Sequence, residues 1–589
     1  MSALPIAIPE MTTAGGFLLV LALMLPFLGV LAALVLGGRN AQRVAFLTIP
    51  SGLALVVAIA VEAVQSGGKL VYLLGGWVPP LGVALRADGL SMVMLLATAL
   101  IILAVAIYAR ADFPIPAGAD EARAPLMFWT LLLAVWGSLN LIFLAGDLFT
   151  LYVALELLTF AGVPLVCLDG RPETLQAALR YLVYALIGSV LYMLGAVLLY
   201  GAYGTLDIAL LAQRVQPEPA AFVAAALMTA GLLAKTALFP LHLWLPPAHA
   251  GAPAAASAVL SALVVKGSWF LVVRLWFDVM PGVVTPAAAQ LLGALGAAAI
   301  LFGSIVALRQ ERLKLLVAYS TLAQIGYLFL MFPLAFDAAG NVLGHGAALT
   351  GGLLQAVSHA TAKAAMFMAA GLIYAALGHD RIADLAGVGR AMPVTVLAFA
   401  LAGLALMGVV PSGAYIAKKL MLEAADGSGQ WWWTIVLQGG AAFTAGYVVL
   451  VLVSVLRRHS GAMPLVKPVS RLSELAALAL AMSSLLLALA ALGPVPGHLV
   501  SNLLAPKELG ALLAVVLGGV LLALGISRRP LLGTERADTG ANGGPLRRAA
   551  LAAGVAFERV DIHARRWPVA SMSLLCLALL FAALIVGGR

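Results

Sequence analysis

Residues 232–269 read LLAKTALFPLHLWLPPAHAGAPAAASAVLSALVVKGSW, placing Lys235, His242, His249 and Lys266 in otherwise apolar sequence. Pro240, Pro246 and Pro247 interrupt the first of the two helical segments that this stretch contains. A charged side chain at the centre of a bilayer costs about 3 kcal/mol on insertion scales, so lysines on two neighbouring membrane segments require a functional reason. Lysine is suited to carrying protons because its proton affinity responds strongly to burial and to a neighbouring carboxylate.

The rest of the chain supplies the membrane. Of 589 residues, 63% are hydrophobic and 10% charged, against about 25% charged in soluble domains. Apolar runs long enough to cross a bilayer recur from end to end, which predicts an all-α integral membrane protein of about 14–16 transmembrane helices. Sixteen segments qualify, near 14–37, 44–65, 89–109, 125–145, 148–168, 175–201, 219–245, 254–277, 285–308, 312–333, 349–376, 392–424, 432–456, 472–493, 508–526 and 568–587. With the N-terminus outside, 23 of the 34 Lys and Arg fall on the inner side, five on the outer side and six within spans. The positive-inside pattern thus predicts an even span count with both termini outside; the expected location of this multi-pass protein is the bacterial cytoplasmic (inner) membrane. The first eleven residues contain Glu10 and no Lys or Arg, unlike a signal peptide, so the first span is expected to stay in the membrane.

Composition also excludes several classes. Cys167 and Cys576 each stand alone in an apolar run, so disulfide, zinc and iron–sulfur sites lack their ligands, and neither a metal nor a cofactor is expected. The net charge of +9 follows membrane topology, which gives no indication of nucleic acid.

Four units follow: N-terminal helices over 1–124, five-helix units over 125–277 and 285–456, and C-terminal helices over 457–589. Within the first, 73–90 is too rich in Gly and Pro to span and reads as an outer-face hairpin. Within the last, 527–566 combines a Gly-rich turn with a basic stretch. It is expected to form a helix on the cytoplasmic surface, or one lying along the membrane against a partner subunit or lipid headgroups. Laying 147–163 (DLFTLYVALELLTFAGV) over 311–327 (ERLKLLVAYSTLAQIGY) aligns Val-Ala, a Leu and a Gly. Each half also has a Lys-bearing interrupted span, Lys235 with Pro240 in one and Lys418 with Gly408, Pro411 and Gly413 in the other. Interrupted helices at corresponding places point to a transport site, because the freed backbone must face protein or water.

The titratable residues suggest a path. Glu156, alone in the middle of its span, is the economical counterion for Lys235, although a purely structural ion pair would look the same in sequence. Lys266 lies on the next antiparallel span. His242 and His249 near the inner end of the break are placed to relay protons. His359 and Lys363, spaced i, i+4, share one helix face. Lys418 and Lys419 follow the second break, and one of them is expected to face the bundle interior. Arg274, a turn from the outer end of its span, is expected to snorkel.

The motifs AKTALFPLHLWLPPAH, VVKGSW, LKLLVAYSTLAQIGY, SHATAKAAMFMAAG and GVVPSGAYIAKKL, with ALEL before them, resemble the antiporter-like proton-conducting membrane subunits. These occur in Mrp-type Na⁺/H⁺ antiporters (their large A and D proteins), respiratory complex I, membrane-bound hydrogenases and related complexes. The likeness covers about 73–422. It implies two inverted five-helix repeats, each with a discontinuous helix, and a proton path along the membrane midplane. Glu156 and Lys235 match the family's paired acid and base, Lys266 the next lysine, His359 the central relay and Lys418 the exit-side residue. The partners implied are other membrane subunits, protons and, where the subunit serves exchange, Na⁺. One alternative is a proton channel that energises a partner enzyme: a quinone oxidoreductase, a hydrogenase or an inorganic-carbon accumulation complex. Chemistry would then reside in the partner. Two departures stand out. Where the family has Gln-x-Asp-Leu-Lys-Arg, this chain has Arg312 in the Asp position. The acidic residue that usually follows WLPxAH is replaced by the run from Ala250 to Pro253, so proton access from that side is expected to differ.

Overall fold

The computed structural model describes residues 11–115, 122–337, 343–459, 463, 465–490, 506–527 and 545–588. Helices α1 (Phe17–Leu36) and α2 (Gly38–Gln65) precede a two-stranded antiparallel hairpin, β1 (Leu70–Leu73) and β2 (Ala84–Ala87), in which Leu70 faces Ala87 and Leu73 faces Ala84. The hairpin expected between 73 and 90 is therefore present. Helices α3 (Gly89–Ala109), α4 (Arg123–Leu144), α5 (Leu148–Val166), α6 (Pro172–Tyr203) and α7 (Ile208–Arg214) follow. The first interrupted span consists of α8 (Pro219–Thr236) and α9 (Leu245–Gly251). Next, α10 (Ala254–Val259) and α11 (Val265–Arg274) are joined by π-helical turns into one span, Ala254–Val279.

The second half comprises α12 (Pro286–Leu308), α13 (Leu313–Phe329) with the short α14 (Met331–Leu334), α15 (Ala347–Leu377), the short α16 (Val388–Ala391), an interrupted pair α17 (Pro393–Leu406) and α18 (Gly413–Gly427), and α19 (Trp431–Leu456). Helices α20 (Arg471–Ala490), α21 (Pro506–Ile526), α22 (Pro545–Ala564) and α23 (Trp567–Gly587) complete the chain. Every one of the sixteen expected spans is occupied by helix. Among the described residues, thirteen helices are long and apolar enough to cross a membrane.

Burial identifies the centre of the bundle. All of the most apolar window of Ala254–Val279 is buried, and most of Leu313–Leu334 and Ala347–Leu377, whereas α1 and α23 present mostly exposed apolar surface, as lipid-facing helices do. The helices that carry Lys266, His359 and Lys363 are thus the inner ones.

Two long-range contacts fix the hairpin side. Arg86 of β2 donates to Gly146 O (2.7 Å) and to Asp207 Oδ2 (2.8 Å), tying the hairpin to the start of α5 and to the residue that caps α7. Arg274 does not snorkel: its guanidinium pairs with Asp88 (2.6 Å), the N-cap of α3, and with Asp278 (2.8 Å). This places Asp88 beside a fixed cation and holds its carboxyl at about 2, even though burial alone would raise it.

The basic segment forms a largely exposed helix. Residues 540–544, the expected Gly-rich turn, lie outside the described residues. Helix α22 docks on the chain's own α12 and α13 on the side opposite the hairpin: Phe557 packs on Phe302, Glu558 pairs with Arg309 (3.0 Å), and Asp561 accepts from the Tyr319 hydroxyl (2.7 Å).

Removing one partner of a buried ion pair strands the other, so Arg86→Ala is expected to destabilise the protein by about 3 kcal/mol. A lower unfolding midpoint in mild detergent would show this, and an unchanged midpoint would exclude the hairpin latch as a structural element.

Candidate functional site

The site is built around the break in the first interrupted span. Helix α8 ends at Thr236, and Ala237 adopts a left-handed conformation (φ 59°), followed by the cis Phe239–Pro240 peptide. The unwound backbone is satisfied within the protein: Leu238 N–H donates to Leu233 O (3.2 Å), and the Trp244 indole donates to Ala234 O (3.1 Å). Gly188 of α6 and Gly231 of α8 face each other so closely that a Cβ on either would overlap the other's carbonyl. That approach of two small residues draws α6 onto α8 one turn before Lys235.

Lys235 is buried, and its ammonium is surrounded by acceptors from two other helices. It pairs with Glu156 Oε1 of α5 (3.3 Å) and donates to Thr159 Oγ1 (3.0 Å), Ser189 Oγ (2.5 Å) and Ala185 O (3.5 Å). The carboxylate that sequence reasoning assigned to it is the one it meets. Beside the ammonium lies a cavity of about 10 Å³ walled in part by Val264 and Ser268, which offers room for about one water between Lys235 and the helix that carries Lys266.

Lys266 is fully buried and donates to Ser261 O (2.6 Å). The π-helical turn Leu260–Val264 lies just before it, and such turns, whose i→i+5 bonding departs from the α pattern, are frequent at functional sites. From Ser261 a hydrogen-bonded thread crosses to α13 and α15. Ser261 Oγ pairs with Thr321 Oγ1 (2.9 Å), and Thr321 Oγ1 donates to Val317 O (3.0 Å). The same carbonyl accepts from Lys363 Nζ (3.4 Å), which also donates to Ser320 Oγ and stands over the Tyr447 ring. Lys266 and Lys363, 97 residues apart in sequence, are thereby joined through Ser261, Thr321 and Val317. Sequence reasoning missed Ser261, Ser320 and Thr321, because single hydroxyls in Ala/Leu-rich helices follow no period. Their only signal is that they lie on the helices adjoining the buried lysines.

His359 is fully buried, has no hydrogen-bond partner on either ring nitrogen among the described residues, and lies within electrostatic reach of Lys266 and Lys363. Among the described residues neither lysine has a carboxylate within ion-pairing distance, so no fixed counterion decides where a proton rests among the three groups. Ser358 links this point to the second break: its hydroxyl accepts from Ala414 N (3.1 Å) in the first turn of α18, and its carbonyl accepts from Ser484 Oγ (3.0 Å). A second polar row, Gln355 to Gln324 (3.1 Å) and on to Thr444 and Tyr447, runs beside it.

The remaining candidates divide. His249, on α9, is buried, stacked on Phe367 (4.7 Å) and likewise without a hydrogen-bond partner among the described residues. His242 is held by the strap helix α22: Nε2 meets Asp561 Oδ1 (3.1 Å), and the same carboxylate pairs with Arg565 (2.6 Å). These donors outweigh burial and keep the Asp561 carboxyl below its ordinary range. Lys418 is half-buried and donates to Gln438 Oε1 (3.3 Å) on the exposed face of α19, away from the buried group. Lys419 is also half-buried and lies over Tyr415. At the start of α13, where the expected aspartate is Arg312, Asp380 takes over the capping role. It accepts from Lys314 N (3.1 Å) and pairs with Arg312 (2.9 Å). Among the described residues no group of three or more His, Cys, Asp or Glu is placed to hold a metal ion.

Comparison with known proteins gives the family and the fold. Residues 145–444 match the family described as NADH:quinone oxidoreductase/Mrp antiporter, transmembrane. The chain is similar to NADH-quinone oxidoreductase subunit N of Desulforudis audaxviator, with 35% identity over 69% of this chain and 81% of that one. It is also similar to a Na⁺/H⁺ antiporter subunit of Bacillus subtilis, with 26% identity over 74% and 85%. Among solved structures, a chain of the Mrp complex from Dietzia sp. superposes with a TM-score of 0.69 at 25% identity, covering 85% of this chain and 99% of that one.

Replacing Asp561 with Ala would leave His242 and Tyr319 without their acceptor, so a loss of about 2 kcal/mol is expected. Limited proteolysis would report it as faster cleavage between 545 and 564. Unchanged protection would show that Asp561 does not hold the strap.

Proposed function

The chain belongs to the NADH:quinone oxidoreductase/Mrp antiporter transmembrane family, and from that premise we propose that it moves protons through the buried line of Glu156, Lys235, Lys266, His359 and Lys363. It is an antiporter-like subunit of a multisubunit membrane complex. The observation that carries the proton path is the continuity of the polar groups. A lysine with a counterion stands next to a small cavity; beyond that cavity two lysines without one are linked by hydroxyls and a carbonyl, and a buried histidine lies within electrostatic reach of both.

In this reading the ion pair is the gate. While Glu156 lies 3.3 Å from Lys235, the proton on Lys235 is held. Moving the carboxylate away frees that proton for the water-sized gap and Lys266. A second proton arriving at Lys266 repels charge on His359 and Lys363, which carries the displacement onward. Each step requires a change of only a few pKa units, about 1.4 kcal/mol apiece. Lys418 is the exit group at the rim beside α19, and His242 and His249 serve the side opposite the hairpin. The halves 125–277 and 285–456 act as inverted repeats, each with one break, at 237–244 and at 407–412.

The positive-inside count supports a cytoplasmic-membrane orientation with the hairpin and both termini outside. The named relatives include both an antiporter subunit and an oxidoreductase subunit. We therefore assign proton movement to this chain, and exchange for Na⁺ or coupling to a redox partner to the complex it joins.

Lys235→Ala in vesicles that contain the whole complex is expected to abolish proton translocation while the other subunits still copurify. Pumping at the parent rate would sink the proposal.

A further inference from the structure

On the side opposite the hairpin, a cavity of about 780 Å³ opens between the end of α3, the start of α6, the linker from α9 to α10, and the facing ends of α13 and α15. We propose that this cavity is the water-filled mouth through which protons reach the buried lysines, and that Asp112 is the carboxylate that collects them. The inference rests on the proton path proposed above and adds its point of uptake.

Three observations support it. The mouth is polar and partly built from unwound chain. Ala252 and Pro253 line it between two helices, and Ala252 O accepts from Lys314 Nζ (2.5 Å), whose stem also lines the cavity. Irregular backbone at membrane depth persists where it faces protein or water. Next, the carboxylates at the rim are not equivalent. Asp169 is held by Arg171 and by the Thr174 hydroxyl, each at 2.5 Å, and Glu173, which also lines the cavity, is exposed in the first turn of α6. Asp112 is exposed at the rim, within electrostatic reach of Lys467 and of the buried Tyr108 hydroxyl, which reaches into space left by the absence of a side chain at Gly371. It can therefore exchange protons with bulk water on one side and with a buried hydroxyl on the other. Last, the wall of the mouth is α9 itself, through Pro247, Ala250 and Gly251. That helix carries the fully buried His249, whose two ring nitrogens have no hydrogen-bond partner among the described residues and which lies within electrostatic reach of Lys314, Lys363 and Lys266. The route is thus Asp112, Lys314 at the cavity floor, His249, then the central lysines. It also accounts for the missing acidic residue after residues 244–249, because the carboxylate comes from α3 instead.

The test uses everted vesicles that hold the complete complex, with Cys167 and Cys576 replaced by Ala in the labelling arm. Asp112→Asn is expected to slow proton translocation about tenfold or more, as loss of a proton-transfer group does, and Asp112→Glu, which keeps the carboxyl, to recover most of the rate. Ala250→Cys, labelled after assembly with a membrane-impermeant sulfonatoethyl methanethiosulfonate, is expected to lose translocation relative to the same vesicles before labelling. This arm does not depend on Asp112→Asn assembling. If Asp112→Asn and labelled Ala250→Cys both run at their reference rates while Lys235→Ala is blocked, protons enter elsewhere and the inference is overturned. If Lys235→Ala is not blocked, the path itself fails, a distinct result.

Discussion

The organisation of this protein depends on the difficulty of keeping an ammonium inside a membrane bundle. Lys235 is tolerated because Glu156, Thr159, Ser189 and Ala185 surround its Nζ, and that cradle exists only because Gly188 and Gly231 let α6 and α8 touch. The break after Thr236 is part of the same solution, since it ends the helix just beyond the lysine and passes the freed carbonyl of Ala234 to the Trp244 indole. An ion pair of this kind contributes little net stability, because desolvation offsets most of the attraction. Its consequence is functional: the proton on Lys235 depends on the position of one carboxylate.

At Lys363 the second half meets the same problem with no carboxylate in ion-pairing distance among the described residues. When 311–327 is laid over 147–163, Ser320 falls where Glu156 stands, and Ser320 Oγ accepts from Lys363 as Glu156 accepts from Lys235. A neutral hydroxyl can orient an ammonium but cannot fix its charge. One end of the line therefore has a switchable counterion, while the middle has groups whose protonation depends on one another. The strap helix α22 adds a fixed element at the break, where Asp561 joins His242, Tyr319 and Arg565.

Much of this was legible in the sequence because membrane helices are long and apolar, and because Pro and Gly interrupt them at 240 and at 408–413. The pairing of Glu156 with Lys235 was also readable, since a lone mid-span carboxylate needs a cation. What could not be read were partners set only by tertiary contact. Arg274 looked like a snorkelling residue because Asp88 is 186 positions away. His242 looked like a free relay because Asp561 lies 319 positions away, on the basic surface helix. Ser261, Ser320 and Thr321 carry no pattern in one dimension and become a thread only when α10, α11, α13 and α15 come together.

Electrometry of vesicles bearing Lys266→Ala, started by a pH jump, addresses the proton line most directly. A line running through Lys266 leaves the fast, partial charge displacement as far as Lys235 and stops sustained proton transfer. Sustained transfer at the parent rate in that variant would mean that protons do not pass through the buried lysines.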